Sequence, residues 1–145
     1  MSNIYQIIID TNVLISGLRS RQGASYQMLT RLKDDRWQIN ISVPLILEYE
    51  TLLKREAATL KIETSTIDRI LDDICAISNQ HEIFYLWRPT AKDPNDDFLI
   101  DLALKAKADF IISYNQKDLE PAKSRFGLQI VTPKTFLQLV GELPA

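Results

Sequence analysis

The sequence predicts an α/β fold with a central, mostly parallel sheet, in a single domain over residues 1–145. Short apolar runs with strand-like composition alternate with segments of helical period, the pattern of a sheet whose strands are joined by helices. The runs at 4–9 (IYQIII) and 109–113 (DFIIS) are also apolar on both faces, as strands in a sheet covered on both sides must be.

The elements follow in order. Residues 4–9 read as a strand. Residues 24–34 read as a helix with Met28, Leu29 and Leu32 on one face, and 39–43 (INISV) as a short strand. Pro44 suits the first turn of a helix running to about residue 58. A second helix covers 65–79, because Ile67, Ile70, Leu71, Ile74 and Ser78 recur at helical spacing. Residues 82–86 are a candidate strand, 96–107 a helix, 109–113 a buried strand and 128–131 a short strand. Thr132-Pro133 opens a last helix with Phe136, Leu137 and Val140 inward. In parallel sheets of this kind ligands bind beyond the carboxyl ends of the strands. Asp10 stands at the carboxyl end of the first strand, and Asn115 and Asp118 follow the carboxyl end of 109–113.

Composition narrows the class. A chain of 145 residues, 46% hydrophobic and 25% charged, can bury the core of one ordinary globular domain. No apolar run reaches the roughly 18–20 residues that span a bilayer. The N-terminus enters a strand almost at once, which argues against a signal peptide. Cys75 is the only cysteine, so no internal disulfide forms and the cytoplasm is the expected compartment. A net charge of −2 argues against tight non-specific binding to a phosphate backbone through overall charge. It leaves open a nucleic-acid substrate met at a cleft where bound cations supply the positive charge.

Four acids carry the functional argument. Asp10 reads either as a metal ligand or as the N-cap of a helix beginning at Thr11. Glu48 falls within the apolar stripe of Leu45, Tyr49 and Leu52, where a carboxylate needs a partner: a cation or a buried arginine. Asp96 extends the inward stripe of Leu99, Ile100 and Ala103, with a plain helix cap as the alternative. Asp97 and Asp101 point elsewhere, and Asp101 pairs with Lys105 in solvent. Asp118 reads as a ligand or as the cap of a short helix. Several acids at one sheet edge are costly unless neutralised, and a hard divalent cation held by oxygen ligands does so. His81 by itself cannot anchor a zinc site, and Cys75 lies among apolar residues that read as core. Gly17–Gly23 reads as a flexible basic loop whose Arg19 and Arg21 are candidate RNA contacts, with Lys54-Arg55 as a possible addition. Trp37 and Trp87 offer rings for base stacking, or for core or dimer packing.

These residues resemble the motifs of PIN-domain nucleases. Asp10-Thr11-Asn12-Val13-Leu14 looks like their opening motif, and Glu48 in the helix after the second strand is similar to their second acid. Asp93-Pro94-Asn95-Asp96-Asp97 with Leu99 and Ala103 looks like the third motif, with Asp96 as the acid. Ile111-Ile112-Ser113-Tyr114-Asn115-Gln116-Lys117-Asp118-Leu119 resembles the fourth, and Val131–Leu137 fits the family's end. The resemblance spans the chain in order and spacing, and is closest to small PIN proteins regarded as toxins of toxin–antitoxin pairs. Ser113 stands where the family usually has Thr. Asn115 stands where many members have Asp, which leaves the fourth acid to Asp118, or a weaker site with one ion rather than two.

The resemblance implies a three-layer α/β/α sandwich and metal-dependent hydrolysis of single-stranded RNA. Asp10, Glu48 and Asp96 would hold one or two Mg²⁺ or Mn²⁺, with Asp118 on the rim or at the second ion, and Asn12, Ser113 and Asn115 in support. It also implies a homodimer and an antitoxin partner. Two other readings compete. A haloacid-dehalogenase-type phosphatase needs an acid where Asn12 stands, and Asn cannot donate the proton. A non-catalytic protein- or RNA-binding module would keep the acids as structural groups.

Overall fold

The computed structural model describes residues 4–83 and 94–144, with the side chains of residues 94–96 outside that description. Among the described residues, five strands form one parallel sheet in the order β3-β2-β1-β4-β5. They are β1 (Tyr5–Ile9), β2 (Trp37–Ser42), β3 (Asn79–His81), β4 (Phe110–Ile112) and β5 (Ile130–Val131). The helices among the described residues are α1 (Thr11–Arg19), α2 (Ala24–Thr30), α3 (Val43–Arg55), α4 (Ala57–Leu60), α5 (Thr64–Ile77), α6 (Pro94–Ala106), α7 (Gln116–Phe126) and α8 (Pro133–Leu139). Together they make the expected three-layer α/β/α sandwich. The central strand β1 is walled in on both faces, with Ile7, Ile8 and Ile9 all buried. That is why its sequence shows no alternation.

The two ends of the sheet differ in chemistry. At the amino ends of β1, β2 and β4 stand Tyr5, Trp37 and Phe110, and the buried Phe136 of α8 meets all three edge-to-face at 5.4–6.2 Å. This end is closed by aromatic packing. The carboxyl end carries Asp10, Ser42 and Ser113, all buried and polar. Each also starts or precedes a turn into a helix or loop, so the backbone there leaves side chains gathered at one edge.

Several expected elements shift. Residues 11–19 form a helix, so Gly17, Leu18 and Arg19 are not part of a flexible loop; the turn is confined to 20–23. Its stripe of Val13, Leu14 and Gly17 is broken by a glycine and β-branched residues, which hides it from periodicity. Gly17 is required by packing: a Cβ there would lie 2.4 Å from Leu29 Cδ1 and 2.9 Å from the Ser25 carbonyl. The expected helix to residue 58 divides at Glu56 into α3 and α4, and α4 ends at Lys61 in the left-handed region (φ 57°). A strand lies at 79–81, residues 82–83 are outside it, and residues 84–86 of the expected strand over 82–86 fall outside the described residues. Helix α2 stops at Thr30, short of Leu32. Helix α7 carries Pro121 and buries only Leu119 and Ala122, so its apolar signal is weak, and it begins at Gln116, which puts Asp118 inside its first turn rather than at its cap. No helix among the described residues is long and apolar enough to cross a membrane.

Candidate active site

Asp10 stands one residue past β1, and its backbone N–H still pairs with the Ile112 carbonyl of β4 at 2.9 Å. Its carboxylate divides its oxygens. Oδ1 accepts the Thr11 N–H at 2.7 Å, the N-cap of α1. Oδ2 accepts the Ser113 hydroxyl at 2.7 Å and the Asn12 amide at 3.3 Å. The capping reading of Asp10 is therefore correct, yet it uses only one oxygen. Burial pushes the Asp10 carboxyl above the ordinary carboxylate range, and the bonds from Ser113 and Thr11 offset part of that rise.

Ser113 is the hub. Its fully buried hydroxyl donates to Asp10 and accepts the Asn115 N–H at 2.9 Å and the Asn12 amide at 3.4 Å. Asn12 in turn accepts the Tyr114 N–H at 3.3 Å. The ends of β1 and β4 are thus laced together by side chains, as their parallel pairing places them side by side.

Glu48 enters from α3. It is half-buried on the flank of the stripe, whose buried positions are Leu45, Tyr49 and Leu53. Leu53 replaces the expected Leu52 because the helix keeps a steady four-residue step here. Glu48 is thus less deeply buried than its sequence position suggested, and Oε2 accepts the Thr11 hydroxyl at 2.9 Å. The buried Tyr49 hydroxyl donates to the Ile9 carbonyl, pinning α3 to the end of β1. Burial raises the Tyr49 pKa well above its usual value, and the negative charges of Asp10 and Glu48 add to the rise. Two carboxylates thus act on one phenol.

The remaining predicted residues fall as follows. The Asp96 backbone lies in the first turn of α6, and its side chain is outside the described residues, as is Trp87. Asp118 is half-buried in the first turn of α7, where a negative charge complements the helix dipole. Among the described residues no three of His, Cys, Asp and Glu converge as a metal-binding group. Asn115 is the N-cap of α7. Arg19 and Arg21 are exposed at the end of α1 and in the turn beyond. Lys54 is bonded to Glu50 at 3.2 Å and Asp68 at 3.0 Å, clipping α3 to α5. Trp37 is buried in the core, not a stacking surface. His81 Nε2 meets the Asn40 amide oxygen at 2.8 Å, and Cys75 packs against the core. Asp101, expected in solvent with Lys105, is instead buried where α6 packs across the sheet.

Thr11 and Tyr49 were not singled out by sequence reasoning. Thr11 lies inside the Asp10-Thr11-Asn12 motif, and a hydroxyl directly after the acid was its signal. Tyr49 was read only as part of an apolar stripe.

The PIN-domain family model matches residues 6–117. The chain belongs to the PIN-domain family. At family level this PIN domain is a nuclease fold, and the buried Asp10 and the Ser113 hub sit within the matched span. No curated protein sequence matches the chain. Among solved structures, VapBC-1 from nontypeable Haemophilus influenzae superposes with a TM-score of 0.59 at 14% identity, covering 89% of this chain and 98% of that one. VapBC2 from Rickettsia felis, bound to a DNA fragment from their promoter, gives 0.55 at 11% identity, covering 88% and 98%. At such identities the likeness is one of fold.

Proposed function

We propose that this PIN domain is a metal-dependent endoribonuclease that cleaves single-stranded RNA, acting as the toxin of a toxin–antitoxin pair. One observation carries the reading: a carboxylate, Asp10, is buried at the carboxyl edge of the sheet and held for ionisation by Ser113 and Thr11, although burial disfavours its charge. Such an arrangement is costly unless a cation completes it.

The donor set fits a hard divalent cation. Asp10 and Glu48 offer oxygen ligands, Thr11 bonding to both, and Asp10 Oδ1, which accepts the Thr11 N–H, keeps lone-pair capacity beyond that bond. Asp10, Glu48 and Asp96 are the proposed ligands of Mg²⁺ or Mn²⁺, with Asp118 at the rim. Held by these residues, a divalent cation would supply an acidified water and would offset charge on the scissile phosphate. The chain's own residues hold the geometry. Ser113 and Asn12 fix the Asp10 carboxylate, Thr11 orients Glu48, and Asn115 is tied to Ser113. Arg19 and Arg21 are proposed to meet the RNA backbone. The fold likeness to VapBC structures and the motif resemblance together support an antitoxin partner, a homodimer, a cytoplasmic setting and one catalytic domain over 1–145.

The test is cleavage of a labelled single-stranded RNA by the purified protein with Mg²⁺, Mn²⁺ or EDTA, beside Asp10→Asn. Metal-dependent cleavage lost in the variant supports the reading. Absence of both cleavage and metal binding replaces it with a non-catalytic binding module. Co-purification with the product of the adjacent gene tests the antitoxin partner.

A further inference from the structure

We infer that Tyr114 is a preset stacking platform that receives a nucleobase of the single-stranded substrate beside the Asp10 site. The inference rests on the ribonuclease reading above and names a residue that grips the substrate.

Tyr114 follows Ser113, whose hydroxyl touches Asp10, so its backbone is at the edge of the site. The backbone is fixed there by the 3.3 Å bond from Tyr114 N–H to Asn12 Oδ1. The side chain is fixed at its far end as well. Its hydroxyl bonds the hydroxyl of Ser25, which is only 1% exposed in the first turn of α2. An exposed tyrosine ordinarily turns its hydroxyl to water and its ring to the protein. Here the hydroxyl is turned inward and bonded, yet the residue remains 46% exposed. The surface left in water is therefore largely ring carbon.

Holding an aromatic ring at both ends while leaving it wet gains little from burial. It does remove in advance the orientational freedom that a ligand would otherwise have to restrict. The electrostatics of the chain make such a contact useful. With a net charge of −2 and an acidic site, general attraction for a phosphate backbone is weak, so binding needs contacts that do not depend on charge. An aromatic face serves any base and does not weaken with salt as ion pairs do.

The test is a two-way cycle in which ring and base are each removed. Binding of an unstructured fluorescent RNA is measured in the Asp10→Asn background, which blocks hydrolysis, with Tyr114 intact or as Tyr114→Leu. A series of RNAs carrying one abasic nucleotide at successive positions is measured alongside. Tyr114→Leu is expected to weaken binding by roughly 5- to 150-fold. The loss should be similar at low and high salt, and it should vanish for the one RNA abasic at the stacked position. Tyr114→Phe keeps the ring, releases Ser25 and should lose only a small part of the affinity; it also serves if the leucine variant does not fold. Equal losses in Tyr114→Phe and Tyr114→Leu, or a Tyr114→Leu loss unchanged on every abasic RNA, overturn the inference while leaving the nuclease intact. RNA affinity indifferent to Tyr114 also overturns it and assigns the exposed ring to a protein contact. Absence of Asp10-dependent cleavage by the unaltered protein marks the separate failure of the ribonuclease reading.

Discussion

Asp10 is where the opposing forces are clearest. Burial raises its pKa, so the folded protein binds a proton there more tightly than the unfolded chain. Its contribution to stability is therefore present below the unfolded carboxyl pKa and lost as pH rises through the higher folded value. In EDTA, the Tm of the unaltered protein relative to Asp10→Asn should fall as pH rises from the ordinary carboxyl range through the raised folded pKa, and added Mn²⁺ should restore it only when Asp10 is present. A flat difference across pH would show that Asp10 carries no such strain. Thr11→Val tests the neighbouring link. It keeps shape and removes the hydroxyl that Glu48 accepts, so Mn²⁺ affinity measured by calorimetry should drop about 10- to 100-fold with little change in Tm. The Asp10-Thr11-Asn12 run made this corner legible in the sequence. The partner Ser113, some hundred residues away, became its hub only when β4 paired beside β1.

At the scale of elements, the α1–α2 corner depends on Gly17. Alanine would favour an isolated α1 by up to about 1 kcal/mol. In the fold its methyl would meet both the flexible Leu29 side chain and the fixed Ser25 carbonyl. Overpacking is expected to win, with Gly17→Ala costing about 1–3 kcal/mol in urea unfolding. Leu29→Ala in the same chain should relieve only part of the conflict, because the backbone oxygen cannot yield. The elements read correctly from sequence were those with an unbroken apolar signature, such as β1, α5 and α8. Those offered only as alternatives, at the capping readings of Asp10 and Asp118, are α1 and α7, whose stripes are interrupted by Gly17 or Pro121.

Across the whole molecule, structure and chemistry occupy opposite ends of one sheet. Phe136 closes the amino ends of β1, β2 and β4, and Phe136→Ala should cost about 3–5 kcal/mol, a large share of the stability of a domain this size. Because the acidic edge lies at the other end, RNA cleavage per folded molecule at low temperature should be unchanged. A loss of specific activity in the still-folded fraction would show that the two ends are coupled.

The sequence by itself determined the class of fold and the chemistry available. Continuous apolar strands require a covered parallel sheet, and acids following those strands fall at its carboxyl edge. It determined the family through motifs whose order survives along the chain. Tertiary structure decided what each acid touches. Asp10 became both cap and buried carboxylate, Glu48 moved to the flank of its stripe, and Asp101 left solvent for the protein interior. The physical reason is that helical phase and local propensity are properties of neighbours in sequence. Burial and hydrogen-bond partners are set by segments a hundred residues apart that share one sheet.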